Sequence, residues 1–129
     1  MEKISLDHLN EHLIKKCLFN PEKKKIYELA KNAFHIREDT YLQSIQSAFG
    51  RNYFYDLLTI KVPTLIIGSA EDQVVPIQNA YFMHYMIKTS DLIIFENTGH
   101  LSNIEQAEQF NLAIRKHIQN YQLYENKVS

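Results

Sequence analysis

Two short apolar runs constrain this chain more than anything else in it. They are Val62-Pro63-Thr64-Leu65-Ile66-Ile67-Gly68 and Leu92-Ile93-Ile94-Phe95, separated by a stretch that reads as one helix. Both runs are rich in β-branched and bulky residues and are apolar at consecutive positions. That pattern belongs to strands covered on both faces, as in a parallel sheet. Pro63 is compatible with this because a proline at the first strand positions breaks no ladder bond. Strands are therefore expected over 60–68 and 91–95. Between them a helix should run from Pro76 through Tyr81, Met83, Met86 and Ile87. Strand, helix and strand then form a right-handed crossover between parallel neighbours. A last helix over 105–121 should turn Phe110, Ile114, Ile118 and Tyr121 inward.

The first half shows helical periods and no strand. Leu6, Leu9, Leu13 and Cys17, with Ile14 and Leu18 beside them, step by three and four and predict a helix over 5–19. Asn20-Pro21 reads as an N-cap followed by a proline at the first helical position. It opens a second helix over 21–36 with Ile26, Leu29, Ala30, Ala33 and Phe34 inside. Tyr41, Leu42, Ile45, Ala48 and Phe49 mark a third, shorter helix that Gly50 stops. Tyr53 to Leu58 adds a further turn or two, with the aromatics Tyr53, Phe54 and Tyr55 assigned to the core. The chain has no internal repeat, low-complexity tract or linker, and its length fits one compact domain.

Composition excludes several classes. The net charge of −1 offers no global field for nucleic acid or anionic lipid. No apolar run approaches the roughly 20 residues of a membrane helix. One cysteine, Cys17, permits no intramolecular disulfide and fits a reducing compartment. The first residues, Met1 to Ser5, carry no hydrophobic signal region, so a cytoplasmic location is expected. His8 and His12 stand four apart on one helix face, but without a third ligand they read as a surface pair and not as a metal site. Lys23-Lys24-Lys25 reads as a solvated helix face. Cys17 falls on the apolar face as a small core residue. No cofactor or metal is expected.

The loops after the two strands carry the chemistry. Parallel α/β sheets build their sites at the carboxyl ends of strands. Asp72 lies four residues beyond Gly68, and His100 five beyond Phe95. The loops leave the same edge of neighbouring strands, so the two side chains can meet. A carboxylate accepting the imidazole Nδ1–H fixes the tautomer and stabilises the imidazolium. The alternative is a binding domain in which Asp72 caps its loop and His100 is incidental.

The segment from Val62 to Pro76 resembles the strand-and-acid segment of the α/β-hydrolase family. Asn97-Thr98-Gly99-His100, with Glu105 and Phe110 after it, resembles that family's histidine loop and final helix. The resemblance covers about residues 55–120. It implies that Asp72 is the triad acid and His100 the triad base. It further implies a partial α/β-hydrolase fold: a helical cap or lid over 1–58, then over 59–129 two parallel strands, a crossover helix and a C-terminal helix. Where family members often have proline two residues after the glutamate, this chain has Ala107.

The departure that matters is the nucleophile. The family carries it on Gly-x-Ser-x-Gly, upstream of the acid. No such motif is present: Gly50 stands outside any serine elbow, Ser44 and Ser47 lie in a helix with no strand before them, Ser69 is on the acid loop itself, and Ser102 is two residues past the histidine, so none is presented to His100 from a neighbouring strand end. The family's oxyanion-hole segment and earlier strands are missing too. Three expectations follow. The isolated chain should not turn over acyl substrates, since a triad without its nucleophile loses most of its rate. The strand at 62–68, empty on one side, should pair with a second copy in a homodimer, or with an upstream chain that supplies the nucleophile. A non-enzymatic, partner-binding remnant of the fold is the alternative.

Overall fold

The structure, a computed structural model, describes residues 6–33, 43–44 and 53–128. Helix α1 (Leu6–Cys17) buries Ile14 and Cys17, with Leu18 just beyond its end. Asn20-Pro21 does not open the second helix. Asn20 Oδ1 accepts the Glu22 amide at 3.1 Å, and its carbonyl accepts the Lys23 amide at 3.2 Å. The asparagine side chain thus captures the local backbone into a turn, and α2 (Lys24–Ala33) starts only afterwards. Ala30 is fully buried and Ile26 packs with it against Ile14 and Leu18. Leu29, expected inside, is 48% exposed. It lies about 100° round the helix from Ala30. Phe34 and the helix expected near 41–50 lie outside the described residues, except 43–44, which are helical.

Helix α3 (Phe54–Thr59) leads into the sheet. Its aromatics correct the core assignment: Tyr53, Phe54 and Tyr55 are all exposed. Strand β1 (Thr64–Ser69) begins four residues later than expected. Pro63 has no N–H to donate, and the Val62 carbonyl is taken by the Thr64 and Thr89 hydroxyls, at 2.9 and 2.8 Å. Helix α4 (Gln78–Met86) and strand β2 (Ser90–Phe95) follow. The strands are parallel and in register from Thr64 opposite Ser90 to Ser69 opposite Phe95. Ile66, Ala80 and Ile87 form the core of this unit, with Leu57, Ile60, Met83, Leu92 and Ile94 packed round it. Gly68 lets α4 approach, since a Cβ there would stand 2.9 Å from Ala80 Cβ and 2.8 Å from Ile94 Cδ1.

The strands are not covered on both faces as their composition suggests. In β1 only Ile66 and Ser69 are buried, and in β2 only Phe95. Among the described residues the sheet has two strands, and a two-stranded sheet cannot cover its own faces. The final helix is also broken. A short α5 (Ser102–Glu105) and a long α6 (Ala107–Val128) meet at Gln106, whose φ of −130° and ψ of 49° leave the helical region. Its amide group donates to the Glu96 carbonyl at 2.7 Å and to Thr98 Oγ1, which draws residue 106 onto the loop below. In α6, Ala113 is buried and Phe110 and Ile114 half-buried. Ile118 and Tyr121, expected inside, are exposed. No helix among the described residues is long and apolar enough to cross a membrane.

Candidate active site

The parallel register puts the ends of β1 and β2 side by side, and the two loops beyond them converge. His100 Nδ1 lies 2.8 Å from Asp72 Oδ2. The other carboxylate oxygen, Oδ1, accepts the amides of Val74 and Val75 at 2.8 and 2.9 Å. Asp72 is therefore oriented by its own loop before it meets the imidazole. Burial is the largest single influence on this carboxylate and raises its pKa. The Val75 amide, the imidazole and the Val74 amide together outweigh it, and the net value falls below the ordinary 3.8. With Nδ1–H donated to Asp72, Nε2 keeps its lone pair. The Asp72 side chain is 11% exposed and that of His100 36%. The carboxylate is thus sheltered and the imidazole partly open to solvent.

The backbone under His100 is held just as closely. Three consecutive amides in the loop each donate to a different part of the chain. Thr98 N donates to Glu71 Oε2 at 2.9 Å, Gly99 N to Glu105 Oε1 at 2.8 Å and His100 N to the Cys17 carbonyl at 2.7 Å. The Glu71 amide returns a bond to the Thr98 carbonyl at 3.2 Å, so the acid loop and the histidine loop are stitched together next to Asp72. Asn97 opens the loop with a φ of 54°, a left-handed conformation that asparagine tolerates better than most residues. Gly99 is required by contact: a Cβ there would come within 2.6 Å of the Cys17 carbonyl and 2.7 Å of Phe19 N.

Glu71, Glu105 and the end of α1 are the parts that sequence reasoning missed as supports of the site. Glu105 appears there as a motif residue without a role. The available signal was a carboxylate beside Asp72 and another one turn beyond His100, near loop amides with no ladder to join. Other candidates fall away. Burial, then the Asp72 carboxylate, pushes the Cys17 thiol up, which suits a core residue. His8 and His12 flank a shallow groove with Glu11 and Lys15, and Glu11 pairs with Lys15 at 2.9 Å. No three His, Cys, Asp or Glu side chains among the described residues are arranged to hold a metal. His117 and Asp91 form a second acid–histidine contact, but at 3.5 Å with Asp91 largely exposed. It also lies at the amino end of β2, away from where parallel sheets place sites. Ser69 is buried as the last residue of β1, and Ser102 is the first residue of α5.

Comparison with known proteins bears on the family and the fold. A family model described as the alpha/beta hydrolase fold matches residues 3–107. A 2-hydroxy-6-oxononadienedioate/2-hydroxy-6-oxononatrienedioate hydrolase from a Pseudomonas species is 32% identical over 72 residues, which are 55% of this chain and 25% of that protein. The AB hydrolase superfamily protein YisY of Bacillus subtilis is 39% identical over 59 residues, or 46% of this chain and 22% of its own length. Among solved structures, an esterase from Exiguobacterium antarcticum superposes with a TM-score of 0.77 at 22% identity, over 86% of this chain and 42% of the esterase. A meta-cleavage product hydrolase (CumD) from Pseudomonas fluorescens superposes with a TM-score of 0.68 at 23% identity, over 92% of this chain and 47% of its own. The chain spans about a quarter of the curated relatives in sequence and under half of these structures.

Proposed function

Because the chain belongs to the α/β-hydrolase family, we propose that it is the cap and acid–base portion of a serine hydrolase whose nucleophile lies outside these 129 residues. One observation carries the reading: His100 Nδ1 at 2.8 Å from Asp72 Oδ2, at the carboxyl ends of adjacent parallel strands. Asp72 holds the imidazole with Nδ1 protonated, so Nε2 accepts the proton of a serine hydroxyl as its oxygen attacks a carbonyl carbon. The tetrahedral oxyanion collapses, and His100 returns the proton to the departing group. Water then repeats the sequence on the acyl-serine, releasing the acid and restoring the serine. The substrate class is a small acyl compound, an ester, thioester or amide, which fits the esterase among the similar solved structures. The setting is cytoplasmic, in keeping with one cysteine and so no intramolecular disulfide.

No Gly-x-Ser-x-Gly occurs in the sequence, so the chain alone should be inert. Pure protein should hydrolyse p-nitrophenyl acetate no faster than buffer, and a fluorophosphonate probe should label none of its serines. Co-expressed with the open reading frame upstream, it should gain esterase activity. His100→Ala should then lower that activity by about 10⁴-fold or more. Stoichiometric serine labelling of the chain by itself would sink the proposal.

A second reading rests on the outer edge of β1, which pairs with no strand among the described residues. That edge would join the same edge of a second copy across a two-fold axis, giving a four-stranded sheet in a non-catalytic or partner-binding homodimer. Light scattering decides it: a stable monomer at micromolar concentration refutes the dimer.

A further inference from the structure

We propose that Glu105 is the positioning residue for His100, and that it makes the end of helix α1 the seat of the catalytic base. Its carboxylate bridges two segments far apart in sequence: Oε1 accepts Gly99 N at 2.8 Å and Oε2 accepts Phe19 N at 2.9 Å. The Cys17 carbonyl, two residues before Phe19, accepts the His100 amide itself at 2.7 Å. The histidine is therefore flanked by backbone bonds that both lead to the same turn of the cap. That turn contains Leu18, which with Ile14 is buried against Ala30, and Leu101 and Ile104 of the histidine segment pack on the same cluster.

Geometry makes this an all-or-nothing contact. At Gly99 the cap backbone is so near that a single Cβ would not fit, with three backbone atoms of residues 17–19 inside 3.0 Å. A carboxylate is the one side chain that offers two acceptors about one amide spacing apart, and bonds from amides to a charged acceptor are among the stronger ones. Glutamine in its place offers one acceptor and one NH₂ group, which would face an N–H. If the bridge opens, the loop loses its register on α1, and the imidazole no longer meets Asp72 at 2.8 Å. Docking of the cap and competence of the acid–base pair are then one event.

The inference rests on reading His100 as the base, but its test needs no turnover. In proton NMR of the 129-residue chain, the His100 Nδ1–H bonded to Asp72 should give a low-field line, identified by its absence in Asp72→Asn. Glu105→Gln should abolish or broaden that line. Ile66→Val, which loosens the sheet core instead, should leave it in place. A Glu105→Gln protein that is destabilised yet keeps the wild-type line overturns the proposal, since a merely structural glutamate would do just that. Should Glu105→Gln fail to fold, amide exchange in the wild type decides. The Phe19, Gly99 and His100 amides should be protected to a common extent, as one opening unit. A Phe19 amide exchanging like an exposed one while Gly99 stays protected would overturn it. An inactive but completed hydrolase would defeat the functional reading and leave these outcomes untouched.

Discussion

The histidine corner and the outer flank of the same small fold are built to opposite standards. At the corner, Thr98 is fully buried, Leu18 is 2% exposed, and three successive amides each have a partner from another segment. On the flank, formed by α3, the lead into β1 and the outer side of α4, apolar groups face solvent. Tyr55 is 74% exposed, Tyr85 72% and Val62 66%. Phe54 contacts Phe82 and Tyr55 at ring separations of 5.8 and 5.5 Å, which gathers the aromatics without covering them. Contiguous exposed apolar surface marks a place where another surface docks. Asp72 and His100 thus meet within these residues, whereas the flank leaves its apolar groups uncovered.

The largest effect should come from a matched pair of leucines. Leu18→Ala removes a fully buried side chain and should cost about 3–4 kcal/mol by urea unfolding. Leu58→Ala, at a position 42% exposed, should cost less than about 1 kcal/mol. Equal losses would mean that the flank is covered in solution and would break the contrast.

The glycines sharpen it at finer scale. Gly99→Ala drives a methyl into backbone atoms that cannot move aside and should cost about 3 kcal/mol. Gly68→Ala meets the mobile end of Ile94 and the Cβ of Ala80, and should cost roughly 1 kcal/mol. Acid titration probes the corner electrostatically. Asp72 has a folded-state pKa below its ordinary 3.8. Between those two values the unfolded chain binds the proton and the folded chain does not, so stability rises with pH. The contribution is whole above 3.8 and is lost as pH falls through the folded value. The wild type should therefore lose stability more steeply below that point than Asp72→Asn, measured by thermal unfolding across the acid range.

Much of this was legible in the residues. Consecutive apolar runs located both strands, and loop positions brought Asp72 and His100 together. The strand edges were less legible because Pro63 and side-chain bonds to the Val62 carbonyl delay β1. The turn at Asn20-Pro21 imitates a helix start until its side chain is seen capturing the Glu22 amide. Periodicity placed Ile118 and Tyr121 inside because it reports which face of a helix is apolar, not whether anything lies opposite. Glu105 carries no periodic signal at all, since its partners, Gly99 and Phe19, are joined only by the folded chain.

The smallest effect on stability should come from Val62→Lys, and it bears on the flank alone. Val62 lies two residues before β1, a strand whose outer edge pairs with no strand among the described residues, and is 66% exposed. Its replacement should change unfolding free energy by less than about 0.5 kcal/mol. A lysine beside an open strand edge opposes edge-to-edge pairing, because docking a neighbour there would bury its charge. If two copies meet through β1, light scattering should report a shift from dimer to monomer in Val62→Lys with the thermal transition of the separated chain unchanged. If the edge instead receives a strand from a nucleophile-bearing chain, wild type and variant should both be monomeric alone, and the variant should lose the activity gained on co-expression. These outcomes separate a surface built for self-association from one built to complete an enzyme.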